Sequence, residues 1–163
     1  MKILVISDTH GDISKVCRVI DSLKDEITTI IHCGDIICDI ELLKRLYTDI
    51  TFYYVKGNND YVQKPLNALN EQNIVLSGKR FFIAHGHTYG VNNGLERLYY
   101  KALELSADIC IFGHTHMQFY QEHNNIMLLN PGSISRPRGG NKHSYAIINI
   151  EDNNIKVDLL YTD

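Results

Sequence analysis

Several things are scarce in this chain of 163 residues. It has three prolines, no Cys-x-x-Cys pair, no surplus of positive charge, and no apolar run long enough for a membrane. Each absence narrows the function. Few prolines and a hydrophobic share of 44% argue against a disordered or linker-rich chain, and favour one compact domain over residues 1–163 with a sizeable core. Of the four cysteines, Cys17, Cys33, Cys38 and Cys110, three lie in apolar runs. They read as reduced core thiols, not as a disulfide or zinc framework. A net charge of −3 offers no field to gather a long polyanion, so extended nucleic-acid binding is not expected. The opening run KILVISD is too short for a signal-peptide core or a membrane span, which makes the cytoplasm the expected location.

What is present is an alternation of short β-rich runs with helical patterns, the mark of βαβ units feeding a largely parallel sheet. Runs 2–6, 28–33 and 50–55 read as strands. Between the first two, Ile13, Val16, Cys17, Ile20 and Leu23 recur at helical spacing, with Asp12 as N-cap. A shorter helix is expected around 39–47 and another near 62–70. Strands follow at 73–76 and 80–85, then a helix through Leu95, Leu98, Tyr99, Ala102 and Leu105, then a strand at 108–112. Beyond 117 the pattern changes to two hairpins, 117–122 with 125–129 and 144–150 with 155–161, turned at HNN and EDNN. These antiparallel strands are expected to form a second sheet or its edge.

Polar clusters close five of these strands: SDTHGD, GD, KGNND, HGHTYG and GHTH. Carboxyl ends of strands in an open α/β sheet lie together, so the five are expected to share one crevice. Asp8 and His10, two apart on an extended chain, would point to one side, and His114 and His116 repeat that spacing. Asp35, Asn58 and His85 bring the candidate ligands to seven. Seven are too many for one ion of four to six coordination but fit two ions sharing a carboxylate, the arrangement that clamps phosphoryl transfer. Mixed nitrogen and oxygen donors without thiolate suit Mn, Fe, Zn or Ni better than calcium or an all-oxygen magnesium site. Mn²⁺ leads, with Mg²⁺ kept among the alternatives.

In order, D-x-H (Asp8, His10), G-D (Asp35), G-N-x-D (Asn58, Asp60), H-G (His85) and G-H-x-H (His114, His116) resemble the calcineurin-like metallophosphoesterase superfamily. The stretch LLNPGSISRPRGG is similar to its small single-domain bacterial and archaeal phosphodiesterase branch. The resemblance implies an α/β sandwich of two mixed β-sheets flanked by helices. It puts one ion on Asp8, His10 and His116, a second on Asn58, His85 and His114, and makes Asp35 the bridge. It also implies a two-metal phosphodiesterase that attacks a small phosphodiester with a metal-bridging hydroxide. The alternative is a protein-binding scaffold on the same fold, since a retromer sorting subunit resembles it too. Phosphomonoesterase and nuclease remain lesser enzyme readings, and a homo-oligomer stays open.

One position departs from the pattern. Many superfamily members carry His after the ligand Asn, where this chain has Asn59. An amide can donate to a phosphoryl oxygen but cannot act as a general acid, so modest turnover and a bias toward good leaving groups are expected, with water or His87 supplying any proton. His87 reads either as a pocket-lining group or as a plain loop residue. Asp60 reads either as an orienting carboxylate or as a helix cap. Arg136 and Arg138 are read as substrate-phosphate contacts or, more simply, as solvated arginines on a rigid turn, while Asn130 and Ser133 would bond backbone or a ligand histidine. His32, inside an apolar run, is left out of the site, and His123 and His143 read as solvated.

Overall fold

The computed structural model describes residues 1–35, 38–60 and 68–163. Strand β1 (Lys2–Ile6) shows how the sequence builds the layers. Ile3 and Val5 point into one apolar cluster, Leu4 and Ile6 into another, and all four are buried, as in a strand covered on both faces. Parallel to it lie β2 (Thr29–His32) and then β3 (Thr51–Tyr54), and the sheet is completed on its other side by β9 (Ser144–Glu151) and β10 (Asn154–Tyr161), in the order β10-β9-β1-β2-β3. The second sheet runs β4-β5-β6-β8-β7, from β4 (Glu71–Leu76), β5 (Lys79–Ala84), β6 (Ile109–Ile111), β7 (Gln118–His123) and β8 (Ile126–Pro131). Within it β5, β6 and β8 are parallel, and β4 and β7 are antiparallel edges.

Ile3, Val5, Ile31, Phe81, Ile83, Ile109 and Ile111 fill the space between the two sheets. The opposite face of the first sheet packs against α1 (Ser14–Leu23) and α2 (Cys38–Leu46) through Val16, Val19, Ile20, Ile40 and Leu43. Phe82, Cys110 and Leu128 of the second sheet pack on Leu98 and Ala102 of α3 (Glu96–Glu104). The result is a helix-flanked sandwich of two mixed sheets. Among the described residues no helix is long and apolar enough to cross a membrane.

Two local expectations are adjusted. Ile13 occupies the N-cap of α1, but Asp12 does the capping from one residue earlier, its Oδ1 accepting from the Ser14 amide at 3.1 Å and hydroxyl at 2.6 Å. Most of the helix expected near 62–70 lies outside the described residues; within its last part, Leu69 pairs with Val55 in a parallel bridge. The two tail hairpins form as expected, on two-residue turns whose central residues, Asn124–Asn125 and Asp152–Asn153, all have positive φ. They do not share a sheet. The β7–β8 hairpin extends the second sheet and β9–β10 returns to the first, because β9 finds its partner in β1.

Candidate metal centre

The loops after β1, β2 and β3 in one sheet, and after β5 and β6 in the other, meet at one edge of the sandwich. Backbone bonds tie them together: Asp8 N–H to Gly34 O at 3.0 Å, His10 N–H to Asp35 O at 3.2 Å, and Gly113 N–H to His85 O at 3.0 Å. The clusters thus converge from two facing sheets and not, as the sequence reading supposed, along one open sheet. The extended geometry expected for the D-x-H and H-x-H pairs is also absent. Asp8, His10, Asp35, His114 and His116 all have left-handed backbones, with φ between 46° and 68°. Such conformations cost on the order of 1–3 kcal/mol each unless the surroundings impose them. Here they are imposed by the cross-loop bonds and by Ser133 and Ser135, whose hydroxyls both donate to the Asp8 carbonyl at 2.9 Å.

Close approach explains two of the glycines. A Cβ on Gly57 would overlap Asp35 Oδ1 and lie 2.6 Å from the Asp35 amide nitrogen; one on Gly113 would overlap Ser7 Oγ and lie 2.9 Å from Asp8 Oδ2.

One ligand atom each from Asp8, His10, Asp35 and His116 lie within 4.8 Å of one another. His116 Nδ1 donates to the Arg136 carbonyl at 2.5 Å, which turns its Nε2 toward His10 Nε2 at 3.3 Å and Asp8 Oδ1 at 3.2 Å. Asp8 Oδ2 is held by the Ser7 hydroxyl at 2.6 Å and the His114 amide at 3.2 Å. Alongside, His85 Nδ1 donates to the Cys33 carbonyl at 2.6 Å, leaving Nε2 facing Asn58 Oδ1 at 3.1 Å and Asp35 Oδ1 at 3.6 Å. In both groups acceptor atoms converge on acceptor atoms, a crowding that a shared cation relieves. The residues present therefore fit divalent ions, and the carbonyls behind His85 and His116 fix the tautomers that ligation requires.

The electrostatics agree. Burial lowers the pKa of His10 against the opposing charges of Asp8 and Asp35, and lowers that of His114 together with the charge of His85, so these rings stay neutral and able to ligate. Burial would raise the pKa of Asp8, but the bond to His116 and the charges of His85 and His116 outweigh it and hold the pKa below the ordinary value. Burial likewise opposes charge on His116, yet Asp8 raises its pKa. A cation would take the place of that shared proton.

Asp60 Oδ2 accepts from the amides of Asp35 at 3.0 Å and Gly57 at 2.6 Å, the orienting role. Asn59, an exposed residue, bonds the bridge candidate: its backbone N–H and Nδ2 donate to the Asp35 oxygens at 2.9 and 2.5 Å. The His87 ring lies 5.3 Å from that of His85 and 6.1 Å from that of His114, beside the site. Burial, and then the charge of His85, lower its pKa, which makes it a poor proton donor at neutral pH. The Arg136 side chain is exposed, and what the structure shows of this residue at the site is its carbonyl on His116. Asn130 donates to Gly113 O at 2.8 Å and Thr115 Oγ1 at 3.1 Å, supporting the G-H-x-H turn. His32 is fully buried between the Gly34 amide and Thr9 Oγ1, apart from the ligand cluster. Sequence reasoning missed Ser7, Ser135, Asp39, which accepts from the Gly11 amide at 3.1 Å, and Asn92, whose Nδ2 lies 3.0 Å from His114 Nε2. Ser7 had a signal in its place beside Asp8 and Ser135 in the stretch LLNPGSISRPRGG, whereas Asp39 and Asn92 had none.

A helix-flanked two-sheet sandwich with carboxylates and imidazoles gathered at one strand-end edge has the layout of a metallophosphoesterase. The model of the calcineurin-like phosphoesterase superfamily domain matches residues 1–153, and the chain belongs to that superfamily. A phosphodiesterase of Methanocaldococcus jannaschii is 34% identical over 146 residues, covering 81% of this chain and 83% of the relative. The crystal structure of a Streptococcus pneumoniae protein described as a predicted phosphoesterase superposes with a TM-score of 0.82 at 33% identity, covering 98% and 88% of the two chains. Vps29 of Entamoeba histolytica, solved with zinc, shares the fold with a TM-score of 0.77 at 24% identity, covering 98% of each chain.

Proposed function

We propose that the protein is a two-cation phosphodiesterase acting on small phosphodiesters in the cytoplasm. The observation that carries this is the placement of Asp35. Its Oδ2 lies 3.8 Å from His10 Nε2 and its Oδ1 3.6 Å from His85 Nε2, so one carboxylate faces both groups of ligand atoms. Asp8, His10 and His116 would hold one ion, and Asn58, His85 and His114 the other. Ions held there would lower the pKa of water toward neutrality and draw charge from the phosphoryl oxygens. The chain's own part is to aim His85 and His116 through the carbonyls behind them and to fix Asp35 through Asn59 and Asp60. Asn59 is an amide and cannot act as a general acid, and burial lowers the pKa of His87, which favours diesters whose leaving group needs little protonation.

The test is a metal-by-substrate matrix on chelator-stripped protein, with a chromogenic aryl diester, the matching monoester and a cyclic nucleotide. Diester turnover restored most strongly by Mn²⁺, with little monoester turnover, is the expected result. Absence of diester turnover with every divalent ion would refute the reading and favour a binding scaffold on this fold.

A further inference from the structure

The hydrogen bond between Asn92 and His114 differs from the backbone bonds that steady two of the other ligand histidines. His85 and His116 are steadied through Nδ1, by carbonyl oxygens behind the ring, and their Nε2 atoms are turned into the site. Asn92 instead meets His114 at Nε2, with its amide nitrogen 3.0 Å away. A cation on that nitrogen and this hydrogen bond exclude one another, because both use the same lone pair. With the carboxamide nitrogen toward the ring, Asn92 donates and His114 Nε2 accepts.

The residue is held for such a role. Val91, just before it, is buried in the apolar cluster with Phe82 and Phe112. It packs so closely on Gly86 that a Cβ there would come 2.9 Å from its methyl group. Gly86 directly follows His85. The backbone under Asn92 is thus fixed relative to both His85 and His114, while the Asn92 side chain itself is exposed and reaches the site from the solvent side.

Building on the two-cation reading above, we propose that Asn92 is a substrate-contacting residue that competes with the second cation. Its N–H group rests on His114 until an ion takes Nε2, then turns to a non-bridging oxygen of the phosphoryl group. A donor displaced by a cation is left beside the anion that the cation binds, and a bond to that anion would be charge-assisted. Asn92 then supplies an amide contact from the solvent side, in addition to any from Asn59.

The experiment compares wild type with Asn92→Ala, a substitution at an exposed side chain. In the first measurement, chelator-stripped protein is titrated with Mn²⁺ by calorimetry, with no turnover involved. Loss of the competing hydrogen bond should tighten the second binding event roughly twofold to tenfold and leave the first unchanged. In the second, Mn²⁺-saturated protein is titrated with inorganic phosphate, whose affinity should fall by roughly twofold to tenfold. Second-ion affinity that is unchanged or weaker in the variant overturns the competition, and unchanged phosphate affinity overturns the substrate contact. If neither protein binds a second ion, the two-cation reading falls and takes this proposal with it. A second ion bound by both proteins with the same affinity overturns the competition and leaves the two-cation reading standing.

Discussion

Asp35→Asn is expected to lower diester turnover by at least about 10³-fold while leaving the fold intact. The two carboxylate oxygens of Asp35 face His10 on one side and His85 on the other, and the side chain is almost fully buried. Replacing one oxygen by NH₂ removes a negative charge from between the two ligand groups and puts a donor where an acceptor stood. Charge neutralisation by bound cations contributes several kcal/mol to phosphoryl transfer, and about 1.4 kcal/mol is a tenfold change in rate. Both ions should bind more weakly. Asn58→Ala, by contrast, should deplete mainly the ion on the His85 side. Unfolding of the metal-free Asp35→Asn variant should stay within about 1 kcal/mol of wild type, because Asn has nearly the same shape and can still accept from the Asn59 amide. Elemental analysis and urea unfolding of the same preparations separate the two effects. Two ions per chain together with retained activity would show that Asp35 is not the bridge.

Asp60→Ala should act in the opposite order, on the fold first. Asp60 is buried, and a single oxygen of its carboxylate accepts from the amides of Asp35 and Gly57, one on the loop after β2 and one on the loop after β3. Truncation strands two buried N–H donors at about 1–3 kcal/mol each, so a loss of about 2–6 kcal/mol is expected. Asp60→Asn keeps an oxygen in place without its charge and should lose less. Because the same bonds set the position of Asp35, cation affinity should fall in step, by roughly 10–100-fold for Ala. Urea midpoints and Mn²⁺ titrations on the three proteins check this. An Ala variant within about 0.5 kcal/mol of wild type would mean that other groups hold these two loops.

Much of this was legible in the sequence because it is written locally. Continuous apolar runs such as KILVI and FFIA mark strands covered on both faces, and a polar cluster at the end of each run marks the edge where chemistry can sit. The hairpin turns were legible for the same reason, since Asn and Asp tolerate the positive φ that a two-residue turn demands. What escaped depends on partners distant in the chain. Nothing in SYAIINIE says that it will pair with β1 and not with β8, so the tail was not divided correctly between the sheets. The left-handed backbones of Asp8, His10, His114 and His116 come from bonds between loops, so the two-residue spacing suggested an extended geometry the chain does not adopt. Asn59 stands where many superfamily members carry His, and its bond to Asp35 is a contact between loops that no spacing rule contains. Asn92 lies 22 residues from His114, with no motif around it.

The central claim is that Asp35 joins two cations, and anomalous diffraction from crystals of Mn²⁺-loaded protein tests it most directly. The account predicts two anomalous peaks about 3.5–4 Å apart, the separation usual for paired catalytic ions. Asp35 should lie between them, with Asp8, His10 and His116 around one and Asn58, His85 and His114 around the other. A single peak, or two peaks of which only one touches Asp35, would contradict it.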